Sequence, residues 1–123
     1  MVLRTVRMGN LRGKEVLLIG GNGFIGMNLA KRLIERYASV TVLCRDTGKA
    51  KKIDFHKKLN LVKGDVTIYE NVEKVIKGKD VIINFAYIVN DRANFDPIED
   101  LKINCSGQLN VLEARKKRNP DAK

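Results

Sequence analysis

The chain has 123 residues, of which 44% are hydrophobic and 31% charged. That balance suits one folded domain and excludes a disordered polymer. No apolar run approaches the ~20 residues of a membrane span. Two distant cysteines (Cys44, Cys105) and one histidine (His56) give neither a disulfide framework nor a Cys/His metal cluster, so both thiols read as buried or half-buried in a reducing compartment.

Residues 1–13 read as a short basic tail with no secretory signal, Met8 being an alternative start, and the expected location is cytoplasmic. The folded domain is expected over 14–123. Its first element is a strand at 15–20, where Val16 to Ile19 is continuously apolar, as in a parallel strand covered on both faces. A helix over 24–37 follows, with Ile25, Leu29 and Leu33 at helical spacing. Then come a strand at 39–44, a basic helical or irregular stretch at 48–59, and a strand at 60–64. A helix at 69–77, a strand at 80–85 and a helix at 97–118 complete the order. Asp96 and Pro97 suit the N-cap and N1 positions of the last helix, whose apolar face is expected at Ile98, Leu101, Cys105 and Leu112. Strands alternating with helices mean a parallel sheet.

Between the first strand and helix lies Gly20-Gly-Asn-Gly-Phe-Ile-Gly26. Gly20, Gly23 and Gly26 fit G-x-x-G-x-x-G, and Gly21, Gly23 and Gly26 fit G-x-G-x-x-G. Glycines allow positive φ and leave room for a pyrophosphate, which the free N–H groups and dipole of the helix N-terminus attract. A strand before and a helix after supply the context that a lone glycine motif lacks. The end of the second strand should meet the adenosine ribose, where an acid binds the hydroxyls of NAD and an arginine a 2′-phosphate. Cys44 stands where the acid is expected and Arg45 follows, favouring NADP slightly; Asp46 comes next, and a one-residue shift restores an NAD-type acid.

Together these segments resemble the extended short-chain dehydrogenase/reductases, especially the NAD(P)-dependent nucleotide-sugar epimerases and dehydratases. Residues 20–26 resemble that family's Gly-Gly-x-Gly-Phe-Ile-Gly, and Gly64-Asp65-Val66 its Gly-Asp-Val/Ile after the third strand. Asp80 to Tyr87 resembles its fourth strand, and Asn104 to Ala114 its Asn-x-x-Gly-Thr-x-Asn-x-Leu-Glu-Ala helix. The resemblance implies an α/β, NAD(P)-binding Rossmann-like, doubly wound parallel sheet in the order 3-2-1-4, truncated after the fourth strand and its helix. It implies cofactor contacts at Gly20, Gly23, Phe24, Ile25, Gly26, Arg45, Asp65, Val66, Ala86 and Tyr87, with Asp65 at the adenine amino group. Asn104 would inherit a position that organises the active site; its plainer reading is a helix-interior amide bonding a neighbouring loop. Asn84, Tyr87 and Gln108 depart from the usual His, a small residue and Thr, and Tyr87 is expected to crowd the nicotinamide half. Gly107 reads as a close approach of helix and sheet.

That family's chemistry uses a Tyr-x-x-x-Lys pair, in which the lysine lowers the tyrosine pKa. None of Tyr37, Tyr69 and Tyr87 has a lysine four residues on, so this chain alone is expected to bind the dinucleotide without turnover. Alternatives are a portion of an NADP-dependent hydroxysteroid- or flavonol-type reductase, and a non-catalytic NADP-binding regulatory or interaction module. The net charge is +10, with lysines clustered at 49–58 and 74–79 and a basic run at 115–118. Aromatic residues are not interleaved with them as single-strand binding requires, so they read as a solvated surface and nucleic acid is not an expected partner. Residues 119–123 read as a loop leading to a fifth strand. Strand 80–85 is then an open edge, at which self-association or a partner is expected.

Overall fold

The computed structural model describes residues 10–88 and 96–123, so the expected tail falls outside it up to residue 9. The order is β1 (Glu15–Ile19), α1 (Phe24–Glu35), β2 (Ser39–Cys44), α2 (Gly48–Lys51), a 3-10 turn at His56–Lys58, and β3 (Leu59–Lys63). It continues with α3 (Tyr69–Ile76), β4 (Val81–Asn84), α4 (Pro97–Leu101), a π-helical segment (Lys102–Gly107) and α5 (Gln108–Arg118). The basic stretch after β2 is one short helical turn and a 3-10 turn, too short to present a basic helical face. The helix expected over 24–37 ends earlier, and Tyr37 adopts a φ of 68° beyond it.

All pairings are parallel, in the order β3-β2-β1-β4. β1 is the hinge of this order, with Ile19 level with Leu43 of β2 on one side and Asn84 of β4 on the other. Its apolar run splits between two cores, as a strand covered on both faces requires. Val16 and Leu18 pack with Met27 and Ala30 of α1 and with Val40 and Val42. Leu17 and Ile19 pack on the other face with Leu43, Val72, Ile76, Val111 and Ala114. Thr41, buried within β2, is satisfied by Lys79 Nζ at 2.9 Å, which also reaches Glu15 at 3.2 Å.

Asp96 caps α4 as expected, its Oδ1 accepting from the Ile98 and Glu99 amides, with Pro97 in the first turn. The apolar face of this helical run is not the expected one. Ile98, Leu101, Cys105 and Leu112 are exposed; Ile103, Gly107, Val111 and Ala114 are buried. The physical reason at Gly107 is close approach: a Cβ there would lie 2.8 Å from Val66 Cγ1, so glycine sits where the helix touches that side chain. Cys105 is therefore exposed, whereas Cys44 is buried as expected.

The outer edge of β4 is also not fully open. Lys123 donates to the Asp80 carbonyl at 3.0 Å and accepts from the Ile82 amide at 2.8 Å, forming the first rungs of a ladder. Asn119 holds this turn in place, its Nδ2 donating to the carbonyls of Ile76 and Lys79 at 2.8 and 2.7 Å. Arg118 fastens α5 to α3 through Glu73 at 2.6 Å.

Candidate functional site

The strand order reverses at β1, so the turns after β1 and β4 splay around a crevice at the carboxyl end of the sheet, where ligands of open α/β sheets bind. Gly20 leaves β1 with a φ of 67°, a conformation costly for other residues. A Cβ there would also meet the Ala86 backbone nitrogen at 2.7 Å, so the two turns touch through bare backbone. Gly26 has the same function one turn into α1, where a Cβ would meet the Gly21 carbonyl oxygen. Gly23 is different. An added Cβ there has nothing within 4 Å, so its hydrogen faces open space.

No side chain caps α1 at Gly23, and its first turn carries no acid. The amides of that turn and the positive dipole end are left for an anion. A bare glycine at the entrance of an uncapped, acid-free helix fits a pyrophosphate, and Gly23 with the α1 terminus would hold it.

The turns enclose a cleft of about 330 Å³. Ile19, Gly20 and Asn22 line it from the turn after β1. On the β2–β3 side it is lined by Arg45, Lys49, Asp65, Val66 and Ile103, and on the β4 side by Ala86, Tyr87 and Ile88. Asp65 is held firmly: its Oδ1 accepts from the Thr67 amide at 2.9 Å and hydroxyl at 2.8 Å, and its own amide donates to Asn71. Asp46 Oδ1 accepts from the Gly48 amide at 2.8 Å, which commits that oxygen to the start of α2. Arg45 Nη1 lies 4.0 Å from Glu99 Oε1, with both side chains more than half exposed. Such a pair is worth ~0.2–1 kcal/mol and yields readily to a ligand anion. The Cys44 thiol at the cleft wall is pushed up in pKa, first by burial and then by Asp46.

Of the residues expected to contact a dinucleotide, Gly20, Arg45, Asp65, Val66, Ala86 and Tyr87 come together on this cleft. Gly23, Phe24, Ile25 and Gly26 are not among its lining. Phe24 and Ile25 are 87% and 68% exposed and flank a separate groove along α1 with Leu29 and Arg32. Tyr87, 68% exposed, is part of the cleft lining. Asn104 is not part of the lining. Its Oδ1 accepts from the Ile88 amide at 2.8 Å and its Nδ2 donates to the Ile88 carbonyl at 3.2 Å, strapping the turn after β4. Sequence reasoning missed Asn22, Lys49 and Ile103. Asn22 lies inside the glycine turn and Lys49 four residues after Arg45, which were usable signals; Ile103 depends on the π-helical register, which left none.

The parallel sheet and the glycine turn at its reversal point define a Rossmann-like fold. The profile of the NAD dependent epimerase/dehydratase family matches residues 16–123, and the chain belongs to that family. It is 32% identical over 108 residues to a putative UDP-glucose 4-epimerase of Methanocaldococcus jannaschii, covering 86% of this chain and 35% of that protein. It is 32% identical over 105 residues to a 3-beta-hydroxysteroid dehydrogenase of Mycolicibacterium neoaurum, covering 81% of this chain and 28% of that one. The UDP-glucose 4-epimerase of Thermus thermophilus, solved in complex with NAD, superposes with a TM-score of 0.71 at 29% identity, over 84% of this chain and 34% of that one. The chain thus spans about a third of the length of these relatives.

Proposed function

We propose that this chain is the NAD(P)-binding portion of an epimerase/dehydratase-like protein, with NADP slightly favoured. The observation that carries this is the bare Gly23 in front of an uncapped α1, opening beside a cleft that gathers Gly20, Arg45 and Asp65. The α1 terminus and Gly23 take the pyrophosphate, Asp65 and Val66 the adenine, and Arg45 the ribose side. Ala86 and Tyr87 lie towards the nicotinamide, which when bound accepts and returns a hydride. Arg45 supports NADP because Asp46 Oδ1 is turned to Gly48; the Glu99 pairing keeps that preference modest. Without Tyr-x-x-x-Lys in the sequence, this polypeptide alone does not epimerise, dehydrate or reduce sugars. The 3-beta-hydroxysteroid dehydrogenase relative, with Arg45, supports a second reading: the NADP-binding portion of a hydroxysteroid- or flavonol-type reductase. Two free cysteines, one exposed, fit a cytoplasmic setting. Beyond the rungs made by Lys123, the β4 edge is the place for a further strand or for association with another chain.

Calorimetric titration with the oxidised and reduced forms of both cofactors is the test. Wild type should bind and Gly23→Val, equally folded, should not. Undetectable binding by both folded proteins would overturn the reading.

A further inference from the structure

Two amide side chains outside the cleft lining determine where part of that lining sits. Asn84, the last residue of β4, accepts a hydrogen bond from the Ala86 amide on its Oδ1 at 2.9 Å. A backbone amide can only donate, so this contact fixes the Asn84 side chain with its oxygen towards Ala86 and its Nδ2 outward. The Nδ2 then donates to Gln108 Oε1 at 2.5 Å. Gln108 is the first residue of α5, directly after the π-helical segment and next to Gly107, which abuts Val66. Ala86 in turn presses its backbone on Gly20. A continuous path therefore runs from the helical joint, through Gln108 and Asn84, to Ala86 and Gly20. It connects two parts of the cleft lining, Val66 and Gly20.

Asn84 and Gln108 are also two of the positions at which the sequence departs from the pattern it resembles, where His and Thr are usual. The structure brings these two departures into direct contact. We infer that Asn84 and Gln108 form a positioning pair that holds Ala86 against Gly20 and thereby sets dinucleotide affinity without touching the dinucleotide. The inference rests on the proposed NAD(P) site for its effect on affinity, but not for its effect on Ala86.

The test uses charge without changing shape. Gln108→Glu keeps an acceptor for Asn84 Nδ2. Asn84→Asp keeps the acceptor for Ala86 and can receive Gln108 Nε2 after that amide turns over. Each single variant should bind NAD+ and NADP+ within about twofold of wild type. The double variant opposes two carboxylates at hydrogen-bond distance and should bind about tenfold more weakly, a loss converted from about 1.4 kcal/mol per decade. In 15N-labelled protein without cofactor, the Gly20 amide resonance should move in the double variant and stay in both singles, and that of Ala86, which Asn84→Asp shifts by changing its acceptor, should move furthest in the double, while that of Asn71 stays throughout. Gln108→Leu, at an exposed position, is the uncharged control and should move the same two resonances. If the double variant leaves the Gly20 resonance unmoved, or each single shifts it as far as the double, the pair is not the positioning device. Unchanged affinity in a double variant whose resonances move would overturn its effect on binding. If wild type binds neither cofactor, the proposed function fails, and the resonances of the free protein still decide the pair.

Discussion

The turns after β1 and β4 meet at the same point of the cleft and are held by opposite means. The turn after β1 is shaped by missing side chains: Gly20, Gly21 and Gly26 each sit where a Cβ would strike a neighbour. The turn after β4 is shaped by side chains that are present: Asn84 binds the Ala86 amide, and Asn104 binds both backbone groups of Ile88. Steric exclusion tolerates no substitution, because the obstructing atoms at Gly26 are backbone and cannot turn aside. Hydrogen bonds each contribute ~1 kcal/mol and can be exchanged for other donors and acceptors. The turn after β1 is thus rigid by sterics, whereas the turn after β4 is adjustable through amides.

The comparison is broken most directly at Gly26. Gly26→Ala should cost about 3 kcal/mol, lowering the thermal midpoint by on the order of 10 °C. A scanning calorimetry trace shifted by less than ~2 °C would show that the first turn yields after all. Asn104→Leu removes both bonds to Ile88 and strands its backbone groups, which should cost about 2 kcal/mol in urea unfolding. A loss equal to that of Gly26→Ala would erase the distinction between the two turns.

Ligand preference sharpens the comparison further. Arg45→Glu should reverse the NADP:NAD affinity ratio by about tenfold, since a carboxylate repels the 2′-phosphate; ~1.4 kcal/mol corresponds to that factor. Calorimetry that finds the ratio unchanged would place the 2′-phosphate elsewhere. Removing the Glu99 competitor with Glu99→Gln should raise NADP affinity only about twofold, as expected for an exposed pair. The smallest effect concerns the thiols. Cys105, exposed, should react with iodoacetamide before Cys44, whose burial and neighbouring Asp46 raise its pKa and reduce its thiolate. NADP should slow Cys44 alone, and equal slowing of both would indicate a general tightening instead of occupancy of the cleft.

The sequence by itself determined the alternation of strands and helices and the glycine turn after β1, whereas the strand order around β1 followed from the family resemblance. The alternation and the turn rest on local rules: a continuous apolar run for a doubly covered strand, helical spacing after it, and glycine where backbone needs room. Asp96 and Pro97 were legible for the same reason, since a cap is a local interaction. Tertiary structure alone decided which face of the last helical run is buried. Hydrophobicity pointed to Ile98, Leu101, Cys105 and Leu112, yet close approach to Val66 and a π-helical turn selected Ile103, Gly107, Val111 and Ala114. It also decided that Asn104 straps Ile88, that Asn84 meets Gln108, and that Lys123 pairs with β4. These contacts join residues 16, 24 and about 40 positions apart, and only the packed sheet and helices bring such groups within hydrogen-bond range.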